Sequence, residues 1–445
     1  MLNSARRQSE NEIARAFQVY GEDIALETIH PLGTSLVAQA RLKNGLKLIL
    51  HPLPHKCVFA WHTWVAAGSR HEFLGKTGLA HLFEHLMYRG TSRYPEGEYD
   101  RLLDRRGAQA NAATWLDWTH YHASLPSSKD NIELIASLEG DRLQHLRTDD
   151  DVLQTERDVV LNERQYRVDD DPDGALGERL WSLALPNHPY GSPTIGWQED
   201  IASISASDCN AFRSRWYTPD RVTICVVGGF DLEHTLGTLV EEYASFSGVS
   251  SEPAGDFGSF TAGDDRLDVA VSAPRLLVAY PSPPATADGL LALEVALDIL
   301  FGGDSGRIVK ELVFSSAVAS LVEGFLAPLQ LPGLFEISVS GREDKDPQLL
   351  LDTLNRGISD FLQDGPTDTE IMKSLRHLEV DLYRGQMTVD GLAYRLGHDA
   401  VVFGEPLRFQ SLPNKVQAIT KYDVLEAAKR AFNNIPAVVK AEAQR

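Results

Sequence analysis

The segment Gly78-Leu79-Ala80-His81-Leu82-Phe83-Glu84-His85-Leu86-Met87 constrains this chain more than any other. Its apolar residues recur at helical spacing, so a helix here has to bury Leu79, Leu82, Phe83 and Leu86 against a core. Residues three and four apart share a helix face, so His81, Glu84 and His85 project into one space. Two imidazoles at that spacing suit a zinc ion, which takes nitrogen ligands and tolerates a site with an open position. Glu84 lies between them, near enough to accept a proton from an attacking water without being a ligand. The bland alternative is an amphipathic helix whose histidines are merely solvated, and a third ligand elsewhere in the chain decides between the two.

A chain of 445 residues is too long for one ordinary core and suggests two to four domains, which its 43% hydrophobic content is enough to bury. The formal charge of −21 argues against nucleic acid or an anionic membrane as partner, and no Lys/Arg cluster reverses it. Cys57, Cys209 and Cys225 are odd in number and never form a Cys-x-x-Cys pair, which reads as buried or inert thiols in a reducing compartment. The first 22 residues read as a polar helical extension, with Arg6, Arg7 and Arg15 against Glu10 and Glu12 and no apolar signal-peptide core. No apolar run reaches transmembrane length. The compartment expected is cytoplasmic, or periplasmic if a signal has been removed.

In chain order, the turn pair Asn44-Gly45 precedes a strand at Leu46 to Leu50, and a second strand runs from Val58 to Val65. Asp100 to Arg106 reads as helix. The segment from Asn111 to Tyr121 alternates like strands. Asn131 to Leu146 and Asp151 to Tyr166 read as helices, the latter carrying Glu156 and Glu163 two turns apart on one face. Beside an open metal site that needs a carboxylate, Glu163 becomes the expected third ligand, and Glu156 a group that orients a ligand from behind. His120 and His122 are rival ligands, but they fall in a strand pattern where histidine is more often a packing residue.

These blocks together resemble the pitrilysin/insulysin family of zinc peptidases. The resemblance rests on the His-x-x-Glu-His helix, Gly107 with Asn111, Ala112 and Thr114, the run Glu156-Arg157-Asp158-Val159-Val160-Leu161-Asn162-Glu163, then His188-Pro189-Tyr190-Gly191 and Tyr217-Thr218-Pro219. By length it is similar to the short-chain branch, which includes mitochondrial processing peptidase subunits and bacterial two-subunit relatives. The resemblance implies one zinc ion per chain on His81, His85 and Glu163, Glu84 as general base, and a substrate peptide added as a strand near Asn111 and Ala112. It also implies an α+β fold of two homologous domains, each a mainly antiparallel sheet covered by helices, facing across a cleft.

The expected division is an extension over residues 1–22, a metal-bearing domain over 23–247, a linker over 248–265 and a second, metal-free domain over 266–445. The linker rests on composition: Ser250-Ser251-Glu252-Pro253 with Gly-rich flanks. Beyond it the pattern restarts, with strands at Leu276 to Tyr280 and Phe335 to Val339 and a helix from Gly289 to Phe301. Helices follow near 347–362, 368–384, 389–403 and 422–432. An internal duplication is expected from Ile204-Ser205-Ala206-Ser207-Asp208 against Ile419-Thr420-Lys421-Tyr422-Asp423, which places Leu297 to Leu300 opposite the metal helix.

The resemblance breaks at one place. Members commonly carry an Arg and a Tyr, seven positions apart in the second domain, that contact substrate; here Val313 and Ser320 occupy those positions. Neither can reach and stabilise a developing oxyanion. The expected protein is therefore the zinc-bearing subunit of a heterodimeric endopeptidase whose homologous partner supplies the pair, with peptides as substrates and neither nucleic acid nor membrane as partner. The competing class is a scaffold or peptide-binding subunit that keeps a metal without catalysing.

Overall fold

The computed structural model describes residues 2–251 and 257–444; residues 252–256, inside the expected linker, lie outside the described residues. The chain divides into two compact units that are not contiguous in sequence. The first comprises Met1–Leu161, Thr194–Ala254 and Arg384–Leu407; the second comprises Asn162–Pro193, Gly255–Tyr383 and Arg408–Arg445. Each unit thus takes a helical segment from the opposite half of the sequence.

The first unit is built on seven strands: β1 (Ile24–Leu32), β2 (Ser35–Leu42), β3 (Lys47–Pro52), β4 (Val58–Val65), β5 (Gln109–Thr114), β6 (Thr119–Pro126) and β7 (Val222–Gly228). Their order is β1-β2-β3-β7-β4-β6-β5, antiparallel throughout except for the parallel pair β3 and β7. Side chains alternate across the sheet, so β4 sends Phe59, Trp61 and Val65 into the main core, joined by Tyr121, Ala123 and Leu125 from β6. Its other face carries Ala60, His62 and Trp64, also buried. That explains why β4 reads as an unbroken run rather than an alternating one: both faces are covered.

What covers the second face is the helix Val389–Val402, which packs on β4 and β7. Gly397 makes the fit possible, because a Cβ there would stand 2.1 Å from the Trp64 indole nitrogen. Leu392, Ala393 and Leu396 are buried with it.

The second unit has five strands: β8 (Gly263–Arg266), β9 (Arg275–Ser282), β10 (Ala319–Leu326), β11 (Gly333–Gly341) and β12 (Ala437–Ala441). Their order is β10-β11-β9-β12-β8, with β12 and β8 parallel. Read from the other end, β8-β12-β9-β11-β10 repeats β3-β7-β4-β6-β5 in order and in strand sense. The helix Pro172–Ala184 packs on β9 and β12 as Val389–Val402 packs on β4 and β7. The offset is 217 for the central strands β4 and β9 (275 − 58) and 217 for these helices (389 − 172). Both units also contain a capping-box helix, at Ser205 with Asp208 and at Thr420 with Asp423, an offset of 215. The fold is therefore α+β, with two related sheets covered by helices.

Several elements depart from sequence expectation. The N-terminal helix Leu2–Val19 is not wholly polar, since Ile13, Ala16 and Phe17 join the first core. The hairpin β1-β2 extends only the first sheet. By helix start, the counterpart of the metal helix is Leu290–Phe301, with N-caps at Gly78 and Gly289 and an offset of 211 (289 − 78). The loop after β9 is six residues shorter than that after β4, which moves the register and places Ala292, Val295 and Ala296 opposite His81, Glu84 and His85. No helix among the described residues is long and apolar enough to cross a membrane. All three cysteines are free; Cys209 and Cys225 are buried, which pushes their thiols up, and Cys57 is exposed.

Candidate metal centre

The metal helix spans Leu79–Leu86. It starts at Gly78, held at φ 85°, where a Cβ would also lie 2.5 Å from the Ile195 carbonyl oxygen, so only glycine fits. Glu72 closes the helix N-terminus. Its carboxylate accepts from the Gly78 amide at 3.0 Å and the Ala80 amide at 2.8 Å, where orphan donors and the helix dipole favour an anion. Burial nonetheless pushes the Glu72 carboxyl up, and these two amides offset that only in part.

Leu79, Leu82, Phe83 and Leu86 are fully buried, each worth roughly 1.5–3 kcal/mol by burial, and they fix the roll of the helix. The remaining side presents His81, Glu84 and His85, all half-buried. The two imidazoles stand edge to face with ring centres 4.7 Å apart.

The third donor comes from the helix Asp150–Arg164, which starts in the first unit and ends three residues past the point where the contacts divide the chain. Because that helix is continuous, Glu163 stands on the same rod as Glu156. His81, His85 and Glu163 each offer one donor atom, and these atoms lie within 4.8 Å of one another. Two nitrogens and one carboxylate oxygen are a donor set that zinc accepts. Glu163 also accepts from Arg167 Nε at 3.0 Å, in the π-helical turn Gln165–Asp169 that ends the helix.

Glu156 sits behind the cluster, 1% exposed at its side chain. Its Oε2 is 3.3 Å from His85 Nδ1 and its Oε1 pairs with Arg89 Nη2. Burial would raise the Glu156 carboxyl, but His85 and Arg89 outweigh it and leave the group below its ordinary value. With Nδ1 engaged, the Nε2 of His85 is the nitrogen available to a metal. Glu84 is held from the other direction, its Oε2 accepting from the hydroxyl of Thr114. A cavity of about 330 Å³ opens beside Glu84 and His85, lined also by Tyr88, Arg89 and Asp100.

Thr114 ends β5, the terminal strand of the seven-stranded sheet. Asn111 is exposed and Ala112 half-buried on that strand, and the Asn111 side chain accepts from the Ala112 amide at 2.9 Å. His120 and His122, the rival ligands, are on β6 and stand away from this cluster, on the face shared with His62. In the second unit Val313 packs against the second core, and the Ser320 hydroxyl donates to the Ser340 carbonyl at 3.2 Å.

Sequence reasoning did not single out Glu72 or Arg89. Arg89 stands four residues after His85, a spacing that helical periodicity could have flagged. Glu72 precedes the helix in a loop and left no comparable signal.

Two family descriptions match the chain: "Insulinase (Peptidase family M16)" over residues 54–197 and "Peptidase M16 inactive domain" over residues 203–378. The chain belongs to peptidase family M16. Among its relatives is the zinc protease PqqE of Helicobacter pylori, 29% identical over 73% of this chain and 78% of that one. The mitochondrial-processing peptidase subunit beta of Lentinula edodes is 24% identical over 87% and 86% of the two chains. A crystal structure of a protease from Helicobacter pylori superposes with a TM-score of 0.85 at 23% identity, covering 94% of this chain and all of the other, which shows a shared fold.

Proposed function

We propose that this chain is a zinc-dependent endopeptidase that hydrolyses peptides or unfolded segments. The observation that carries the reading is the convergence of His81, His85 and Glu163, with the Glu84 carboxylate beside them and positioned by Thr114. A zinc ion bound there would polarise the scissile carbonyl and acidify a water molecule. Glu84 then accepts the proton of the attacking water and delivers it to the leaving amine. Glu156 fixes the ring of His85 through Nδ1 and would leave its Nε2 free to hold the ion. The substrate backbone adds as a strand along β5, where Asn111 and Ala112 stand at the sheet edge.

The same reading makes the chain the zinc-bearing half of a heterodimer that encloses its substrate between homologous subunits. It rests on Val313 and Ser320, which stand where family members commonly carry a substrate-contacting Arg and Tyr, and on likeness to a protein named as one subunit of a processing peptidase. A second reading, a scaffold or peptide-binding subunit, draws on the same two residues.

Cleavage of an unfolded peptide by the purified chain, alone and with a homologous subunit that carries the Arg and Tyr, each with and without chelator, separates the readings. Chelator-sensitive cleavage only in the mixture supports the split site. Cleavage by this chain alone overturns the heterodimer, and no cleavage in either supports the scaffold.

A further inference from the structure

On the face of the first sheet opposite the metal helix, three side chains far apart in sequence meet. His62 on β4 stands directly across from His122 on β6, and Asp390 arrives from the first turn of the helix Val389–Val402. His62 Nε2 is 3.1 Å and His122 Nδ1 3.4 Å from Asp390 Oδ1. One donor atom from each of the three lies within 4.8 Å of the others. Ligands of a tetrahedral zinc ion, at about 2.0–2.1 Å from the metal, stand roughly 3.3 Å from each other; the two separations to Asp390 match that spacing, and the third lies within 4.8 Å.

The surroundings of the cluster also suit an ion. His62 is fully buried, and its Nδ1 is 3.0 Å from His120 Nε2, which fixes the ring and leaves Nε2 to face Asp390. His120 is in turn clamped by stacking on Trp64, ring centres 3.9 Å apart. His122 and Asp390 line a cavity of about 590 Å³ together with Asn111 and Ser124, which gives an ion an entry path and a solvent position. Ser124 donates to Asp390 at 3.3 Å.

We propose that His62, His122 and Asp390 form a second site for a divalent transition metal of the zinc class, separate from His81, His85 and Glu163. It binds through His62 Nε2, His122 Nδ1 and an Asp390 carboxylate oxygen, with a water in the fourth position. Bound there, the ion clasps the helix Val389–Val402 to two strands whose ligands lie 328 (390 − 62) and 268 (390 − 122) residues earlier in the chain. The metal content expected of the chain then rises from one ion to two. The site stands independently of the peptidase reading, because none of its ligands belongs to the other centre.

The test is zinc stoichiometry by equilibrium dialysis and elemental analysis on the chelator-stripped full chain. The wild type should take up two ions, His81→Ala one, Asp390→Asn one, and the double variant none. Asp390 is about half-exposed at its side chain (47%), so the asparagine should fold; circular dichroism checks this, and His122→Gln serves as a second variant with the same expected loss. A wild type that binds no ion, or whose metal is lost wholly on His81→Ala, or Asp390→Asn and His122→Gln chains that bind as many ions as the wild type, overturns the second site. Loss on Asp390→Asn but not on His81→Ala upholds it and removes the first site instead.

Discussion

Glu156 lies 3.3 Å from the Nδ1 of His85 while its other oxygen is held by Arg89, so a buried carboxylate and an arginine set the orientation of one imidazole of the candidate metal centre. The ring cannot turn without breaking its contact to that buried carboxylate. The helix itself is only eight residues long, so such a contact helps to fix where its histidine points.

Replacing Glu156 with Gln should therefore weaken metal binding without removing a ligand. A loss of about 10- to 100-fold in zinc affinity is expected. Competition against a chromophoric chelator measures it, and an unchanged affinity would show that the contact is packing only.

In the first unit, Arg142 and Glu139 form a buried pair, both side chains 3% exposed, with the guanidinium 4.4 to 5.0 Å from the rings of Tyr88, Tyr99 and Tyr121. Removing one partner strands the other charge. Arg142→Ala should cost about 3–5 kcal/mol in urea unfolding of the chain, and replacing both residues together should cost less than the sum of the single changes.

Gly397→Ala puts a methyl group against the Trp64 indole, where there is no space. A loss of about 1–3 kcal/mol is expected, together with looser packing of the helix Val389–Val402. Thermal unfolding and hydrogen exchange of that helix report the two effects.

In the second unit Glu370 accepts from Arg307 at 2.5 and 2.7 Å and also caps Thr367. The Arg307 hydrogen bonds chiefly hold its carboxyl down at about 2, against an ordinary 4.5. A depressed carboxylate stabilises the fold above its ordinary value, and that stability is lost as pH falls from 4.5 towards 2. The pair is partly exposed, so Glu370→Gln should cost only about 1 kcal/mol at neutral pH. Its deficit relative to wild type should shrink across that acid window, as unfolding curves at several pH values would show.

Much of this architecture was legible because the local signals were strong. The strand Val58–Val65 matched residue for residue, and most helices of the second half fell within a residue or two, since apolar periodicity and caps mark them directly. The exchange of helices between units was not legible. Nothing local in residues 389–402 distinguishes packing on β4 from packing on β9, because both present a buried apolar strand. Nor did sequence reveal that His62, His122 and Asp390 meet; two are cross-strand neighbours, and the third arrives through a tertiary contact with a sequence separation of 328. At the metal centre the motif named His81, Glu84 and His85, while Glu72 and Arg89 depended on how loops and turns close around the helix.

The most direct test of the account is Glu84→Gln, measured for zinc content and peptide cleavage on one preparation, assayed with the homologous subunit present. The substitution keeps the shape and the hydrogen bond from Thr114 in reach but cannot carry the proton. The account predicts metal content equal to wild type and cleavage reduced by at least about 100-fold, the scale of a lost general base. Cleavage at the wild-type rate by the metal-loaded variant would contradict it.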